Sequence, residues 1–425
     1  MNRFVSTIIM MALSGAIFAQ ENSKIFTITT SPAQNTRNEM NFSWATPQKI
    51  GSATLEMTSL KDKNWKKTVG KMVEGVYCTT YDSIYSKAAN GENFYENVKI
   101  NKYNASVGNL KKNKKYKYRI IADGDTSKVH YFKTSGAKEW SACIISDFHV
   151  YSPLYGRTKA AMDMISTVEK HGNPFEWILH LGDITAWGGS YSFWKNLYKE
   201  KPFVDYMWAG VNGNHDNMTR TNKGNTNKFF RDAAAYPHNG YEGEMGVCYF
   251  FKYGDVLFIM LNNENMRTEE GLEKAQKWVK EVVENNPARY KVVCEHYQWF
   301  FGANGKDSQY ARWNQLFDEL GISLALGGNN HIYVSTHPLK GGNVVDPGKG
   351  TTYIQSTSSD NERGSECDLG KPLEFNGDKI KLRWTEGGKT VSAMHLNVTK
   401  KKMTVTLLDR NGHILDITEV LPILP

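Results

Sequence analysis

Cysteine is scarce in this chain. Five residues among 425 (Cys78, Cys143, Cys248, Cys294 and Cys367) are too few and too scattered for a disulfide framework, and the odd count leaves at least one unpaired. Cys143, Cys248 and Cys294 lie inside apolar, strand-like runs and read as small buried hydrophobes. There is no internal repeat and no low-complexity tract, so the chain is not built as an array. Beyond its first residues no stretch is long and apolar enough to span a bilayer. With 40% hydrophobic and 12% aromatic residues it is not a disordered chain either. Its length allows two or three domains.

The one marked apolar run is N-terminal. Met1-Asn2-Arg3, then Phe4 to Ala19, has the charged start, short hydrophobic core and small-residue end of a secretory signal peptide, with cleavage expected between Ala19 and Gln20. An uncleaved anchor is the other reading, and no cysteine follows to take a lipid. The expectation is an exported protein, secreted or periplasmic, with no membrane attachment after cleavage.

Lysine and arginine exceed aspartate and glutamate by 52 to 44, a formal charge of +8. The lysines are spread along the chain. Their densest run, Lys111-Lys112-Asn113-Lys114-Lys115, reads as a solvated hairpin turn between strands, so no nucleic-acid partner is expected.

From Ile25 to about Ser135 the pattern alternates in strand fashion, at 25–30, 40–45, 52–58, 116–122 and 129–134, with turn signals such as Ala122-Asp123-Gly124-Asp125 between. That predicts an antiparallel β-sandwich over 24–136, fibronectin type III-like in size, and it carries no catalytic constellation. After Gly136 apolar strands alternate with helix candidates at 156–171, 190–200, 226–235, 269–286 and 309–320, which predicts a layered α/β domain over 137–425. In the fourth helix Leu272, Ala275, Val279 and Val282-Val283 recur at helical spacing. Three more strand-like runs fill 391–421.

Five short segments hold the chemistry: Asp147-Phe148-His149, Gly182-Asp183, Gly213-Asn214-His215-Asp216, His296, and Gly328-Asn329-Asn330-His331. The first four follow apolar runs at 142–146, 177–181, 206–211 and 291–294, which read as buried parallel strands. Their side chains should therefore gather at strand C-terminal ends, the edge where open α/β sheets form sites. Taken singly, Asp-x-His reads as a turn and Gly-Asp says little. In this order, the first four each after a strand, they read as a two-metal site.

This pattern resembles the calcineurin-like metallophosphoesterases. The N-terminal third and the stretch from Tyr249 to Asn262 resemble the purple acid phosphatase branch of that superfamily, and the resemblance runs from about Ile25 to the C-terminus. It implies a four-layer α/β/β/α catalytic sandwich, with the C-terminal strands closing its second sheet. It implies two divalent ions, Mn, Zn or Fe: Asp147, His149 and His331 on the first, Asp183 bridging, and Asn214 with His296 on the second. His215 would contact the phosphoryl group or protonate the leaving group, with Asp216 orienting it. The implied activity is an acid phosphatase-like phosphomonoesterase acting on a small phosphate ester by attack of a metal-bridging hydroxide. The positive charge would help draw such substrates in.

Two departures qualify that expectation. The purple members place a tyrosine three residues after the bridging Asp, where this chain has Ala186, so the protein should not be purple. The family's Gly-His-x-His motif reads Gly328-Asn329-Asn330-His331 here. Asn329 replaces an imidazole of the second metal, and a harder, weaker ligand should shift that site towards Mn, Mg or Ca or make it labile. Phosphodiester or nucleotide hydrolysis remains the alternative activity, and a degenerate ligand-binding homologue the non-catalytic one. Arg220 and Lys223 are in reach of a substrate phosphate or are solvated loop charges. Tyr297, Trp299, Phe300 and Phe301 read as a leaving-group pocket or as a packed loop. His180, inside its strand, reads as structural.

Overall fold

The computed structural model describes residues 24–47, 49–72, 77–79, 98–150, 157–186, 188, 191–217, 230–231, 234–300, 308–359, 378–384 and 391–423. The leader read at 1–19, Cys367, Arg220, Lys223, Phe301 and most of the helix expected over 226–235 lie outside them.

The strands Trp140–Ile145, Trp177–His180 and Met207–Gly210 are parallel neighbours and buried along their whole length. A parallel strand covered on both faces has no polar side, which is why these segments read as unbroken apolar runs. A second sheet holds Val256–Met260, Tyr290–Cys294, Leu324–Gly327 and Thr352–Gln355, also parallel. Leu324–Gly327 was not among the expected strands, although it sets up the last ligand segment.

The two sheets pack face to face. Trp177 meets Phe258 edge-on at 5.1 Å, and Trp140 meets Tyr253 at 4.7 Å. Burying a side chain such as Phe258 contributes about 1.5–3 kcal/mol. Helix Arg157–Glu169 lies over strands Trp140–Ile145 and Ser392–Val398. Helices Glu269–Asn285 and Tyr310–Leu320 cover the second sheet with Leu272, Val279, Trp313 and Phe317, which completes the four layers. Helix Glu269–Asn285 starts where the sequence places it. Thr268 Oγ1 accepts the Gly271 N–H at 3.1 Å, Glu269 and Glu270 sit at the positive end of the helix dipole, and the residues at helical spacing are buried.

The N-terminal region is a β-sandwich, with Phe42 edge-on to Tyr118 at 5.0 Å and to Phe132 at 5.2 Å across its interior. One of its sheets is not separate from the α/β domain. Strand Phe26–Pro32 pairs in parallel with Met207–Gly210, with Thr30 opposite Met207, so both regions share an eleven-stranded sheet. Two further expectations are corrected. The lysine-rich run 111–115 is not a hairpin turn, because Val98–Val107 belongs to the eleven-stranded sheet and Lys115–Ala122 to a five-stranded one. Strand alternation marks a strand and leaves its partner open. The C-terminal strands Ser392–Val398, Met403–Asp409 and Ile414–Val420 join the sheet of Trp140–Ile145, where Val398 lies opposite Trp140. Asp416 on the last of them accepts hydrogen bonds from Tyr333 and Ser335 of the second sheet, fastening the two sheets together.

Candidate metal centre

The five segments converge. Asp147, Asp183 and Asn214 leave the C-terminal ends of strands in the first sheet, and His296 and His331 leave those of the second. Between them lie three groups whose ligand atoms are all within 4.8 Å of one another: Asp147, His149 and His331; His149, Asp183 and His215; Asp147, Asp183 and His296. Asp183 reaches both sides, with Oδ2 3.0 Å from His149 Nε2 and Oδ1 3.3 Å from His296 Nε2. Asp147 Oδ1 is 3.3 Å from His331 Nε2.

The backbone is bent hard to bring them there. Among the described non-glycine residues at positive φ are Asp147 (55°), His149 (44°), Asp183 (53°), Asn329 (71°) and His331 (60°). Asp, Asn and His tolerate this region better than other side chains, yet each such residue costs of order 1–3 kcal/mol. Close approach fixes the adjacent glycines. A Cβ on Gly213 would stand 2.2 Å from the Asp183 nitrogen and 2.3 Å from its Oδ1, and one on Gly328 would stand 2.4 Å from Ser146 Oγ.

The ring nitrogens turned away from the cluster are anchored on carbonyls: His149 Nδ1 on Asp147 O at 2.9 Å, His296 Nδ1 on Leu181 O at 2.8 Å, and His215 Nδ1 on Ala186 O at 2.8 Å. Second-sphere anchoring of this kind fixes the tautomer and aims the other nitrogen inward. Arg157 donates to the His149 carbonyl at 3.2 Å. Asp147 Oδ2 accepts from Ser146 Oγ and, at 3.2 Å, from the Asn329 N–H, which leaves Oδ1 for the cluster.

Asp147 Oδ1, Asn214 Oδ1 and His296 Nε2 are buried without a hydrogen-bond partner. Orphaned acceptors of this kind, clustered and aimed together, fit divalent cations. Burial pushes the Asp183 carboxyl up, but His296, His215 and His149 around it bring it well below the usual range. Burial lowers His296, and the Asp183 carboxylate outweighs it and raises the imidazole to about 10. Asp147 is likewise held below its ordinary value by His331 against burial. Burial lowers His149.

Two side chains, Asp216 and Asn329, take partners the sequence did not indicate. Asp216 is fully buried and accepts from the backbone N–H of Ile184 at 3.3 Å, Thr185 at 3.0 Å and Gly213 at 2.9 Å. Its carboxylate therefore ties the Gly182-Asp183 and Gly213-Asn214 loops together, while the Ala186 carbonyl takes the place expected of it on the His215 ring. Burial and the neighbouring Asp183 push it up to about 7. Asn329 donates Nδ2 to Gln298 Oε1 at 2.6 Å, a partner the sequence did not flag. Trp299 and Phe300 are packed, against Tyr353 and Phe317 and against Tyr310, so the packed-loop reading holds for them. His180 lies beneath the site, accepts the Gly182 N–H at 3.1 Å and is kept neutral by burial, its pKa near 3.

A cleft of about 580 Å³ lies elsewhere, lined by Arg37, Lys252, Asp255 and Arg289 among others, and includes none of these residues.

Residues 142–333 match the calcineurin-like phosphoesterase family, and residues 25–134 match the purple acid phosphatase N-terminal domain. Purple acid phosphatase PPD1 from yellow lupin (Lupinus luteus) seeds superposes with a TM-score of 0.72 at 14% identity, covering 93% of this chain and 74% of that one. The structure of PhoD superposes with a TM-score of 0.58 at 13% identity, covering 94% of each chain. No curated protein matches the chain by sequence. The chain thus carries a calcineurin-like phosphoesterase domain preceded by a purple acid phosphatase N-terminal domain.

Proposed function

We propose that this protein is an exported phosphomonoesterase that works with two divalent ions. The observation that carries the reading is the sharing of Asp183, one oxygen towards His149 and the other towards His296, at the centre of orphaned, buried ligand atoms. Asp147, His149 and His331 would hold the first ion, Asp183 both, and Asn214, His296 and Asn329 the second. When bound, such a pair supplies a nucleophile at neutral pH and neutralises charge on the phosphoryl oxygens.

The chain's own groups do the rest. Asp183 sets the spacing of the site, and Asp216 holds the two loops that carry Asp183 and Asn214. His215, with Nδ1 on the Ala186 carbonyl, presents its Nε2 to the substrate and passes a proton to the leaving oxygen. Ala186 stands where a tyrosinate would give colour, so the loaded protein is colourless with Mn or Zn. Export rests on the charged and apolar leader over 1–19, and the domain limits 24–136 and 137–425 on the strand patterns.

Rates on 4-nitrophenyl phosphate and bis(4-nitrophenyl) phosphate, measured on Mn-loaded protein, test the proposal. A faster monoester supports it. A faster diester makes the protein a phosphodiesterase, and no turnover of either, restored by Asn329→His, makes it a degenerate binder.

A further inference from the structure

We infer that Gln298 is a positioning residue that makes the Asn329 carboxamide an oxygen ligand of the second metal position, which rests on the two-ion reading above. Gln298 is 2% exposed, and its Oε1 takes the Asn329 Nδ2 at 2.6 Å. A carboxamide is planar, with its oxygen and nitrogen pointing apart. Committing the nitrogen to Gln298 leaves the oxygen as the atom that can serve a cation, and bars the amide from turning its N–H₂ inward.

Asn329 stands beside the centre. Its own N–H reaches Asp147 Oδ2 at 3.2 Å, and it sits at φ 71° in the bent loop that ends in His331. The neighbouring residue is braced in the same way, since Gln355 Nε2, buried, donates to Asn330 Oδ1 at 3.1 Å. Two buried glutamines thus set the two asparagines of Gly328-Asn329-Asn330-His331, one through its acceptor and one through its donor.

The consequence is a change of metal chemistry. The second position would offer the Asp183 carboxylate, the Asn214 amide oxygen, which is buried without a partner, the Asn329 amide oxygen and one imidazole, His296. Three hard oxygens to one nitrogen favour Mn²⁺ or Mg²⁺ over Zn²⁺. The first position keeps two imidazoles, His149 and His331, with Asp147 and Asp183. The two sites of one centre should therefore differ in selectivity, and Gln298 would be responsible for that difference without touching an ion.

Calorimetric titration of the metal-free full chain with Mn²⁺ and with Zn²⁺ tests this without any turnover. The expected result is two Mn²⁺ sites. Gln298→Ala weakens the second by about tenfold to a hundredfold and leaves the first unchanged. Gln298→Glu, which keeps an acceptor for the Asn329 amide, holds the second site at or above its original affinity. Asn329→His inverts the second site's preference towards Zn²⁺. Unchanged second-site affinity in Gln298→Ala overturns the inference. If that variant does not fold, Asn329→Ala decides: loss of the second Mn²⁺ with the first retained supports it, and an unchanged second site overturns it. One Mn²⁺ only in the original chain overturns the role of Asn329 and leaves a metal site standing, whereas no ion at all overturns the two-ion reading itself.

Discussion

Oδ2 of Asp183 lies 3.0 Å from Nε2 of His149, and both residues sit at positive φ at the ends of neighbouring parallel strands. Two strained loops are thus aimed at one point, and the strain is stored where the candidate ligands are. Asp183→Asn removes the charge that the surrounding histidines face. Turnover should fall by more than about a hundredfold. Far-ultraviolet circular dichroism should be unchanged, since the two sheets do not depend on that side chain.

His215 separates chemistry from metal binding. Its Nδ1 is fixed on the Ala186 carbonyl at 2.8 Å, and the proposed ligand set does not include it. His215→Ala should lower kcat by about 10²–10⁴-fold, the usual span for a lost general acid. Metal content by elemental analysis should stay at the original value, and a loss of metal would instead make His215 a ligand.

Gly213 has no room for a side chain. A Cβ there would fall 2.3 Å from Asp183 Oδ1, so Gly213→Ala must displace the proposed bridging carboxylate. Destabilisation of about 1–3 kcal/mol is expected from overpacking. Denaturant unfolding measures it, and ion stoichiometry should fall in the same variant.

Asp416 supplies a pH-dependent fastening far from the centre. It accepts from Lys381 Nζ at 2.7 Å, Ser335 Oγ at 2.8 Å, and Tyr333 Oη and Thr418 Oγ1 at 2.9 Å. Burial alone would raise its carboxyl, but Lys381, Ser335 and Tyr333 lower it below the ordinary value. A depressed carboxyl stabilises the fold above its unfolded pKa, about 4, and the contribution is lost as pH falls through the lower folded value. Asp416→Asn should therefore cost about 1–3 kcal/mol at pH 7. The gap between the two proteins, read from urea midpoints, should narrow below about pH 4.

The sequence made the candidate ligands legible for a physical reason. Each of Asp147, Asp183, Asn214 and His296 closes a strand buried on both faces, and such strands announce themselves as apolar runs. The strand Leu324–Gly327 before His331 was missed because Gly327 and Gly328 dilute its apolar run. Partners across long separations were not legible: Thr30 beside Met207, Val398 beside Trp140, and Asp416 beneath Tyr333 depend on the assembled sheets. Asp216 misled because Asn-His-Asp suggests a local pair, while burial turns its carboxylate to the backbone N–H of Ile184, Thr185 and Gly213. Gln298 carried no signal, since a lone glutamine after His296 has no motif. Asn329 was visible as a departure from the family pattern, and its partner was not.

The central claim is a two-ion centre around Asp183. Elemental analysis of the protein after Mn loading and removal of free metal tests it most directly. About two ions per chain is the predicted result. One ion or none would contradict it.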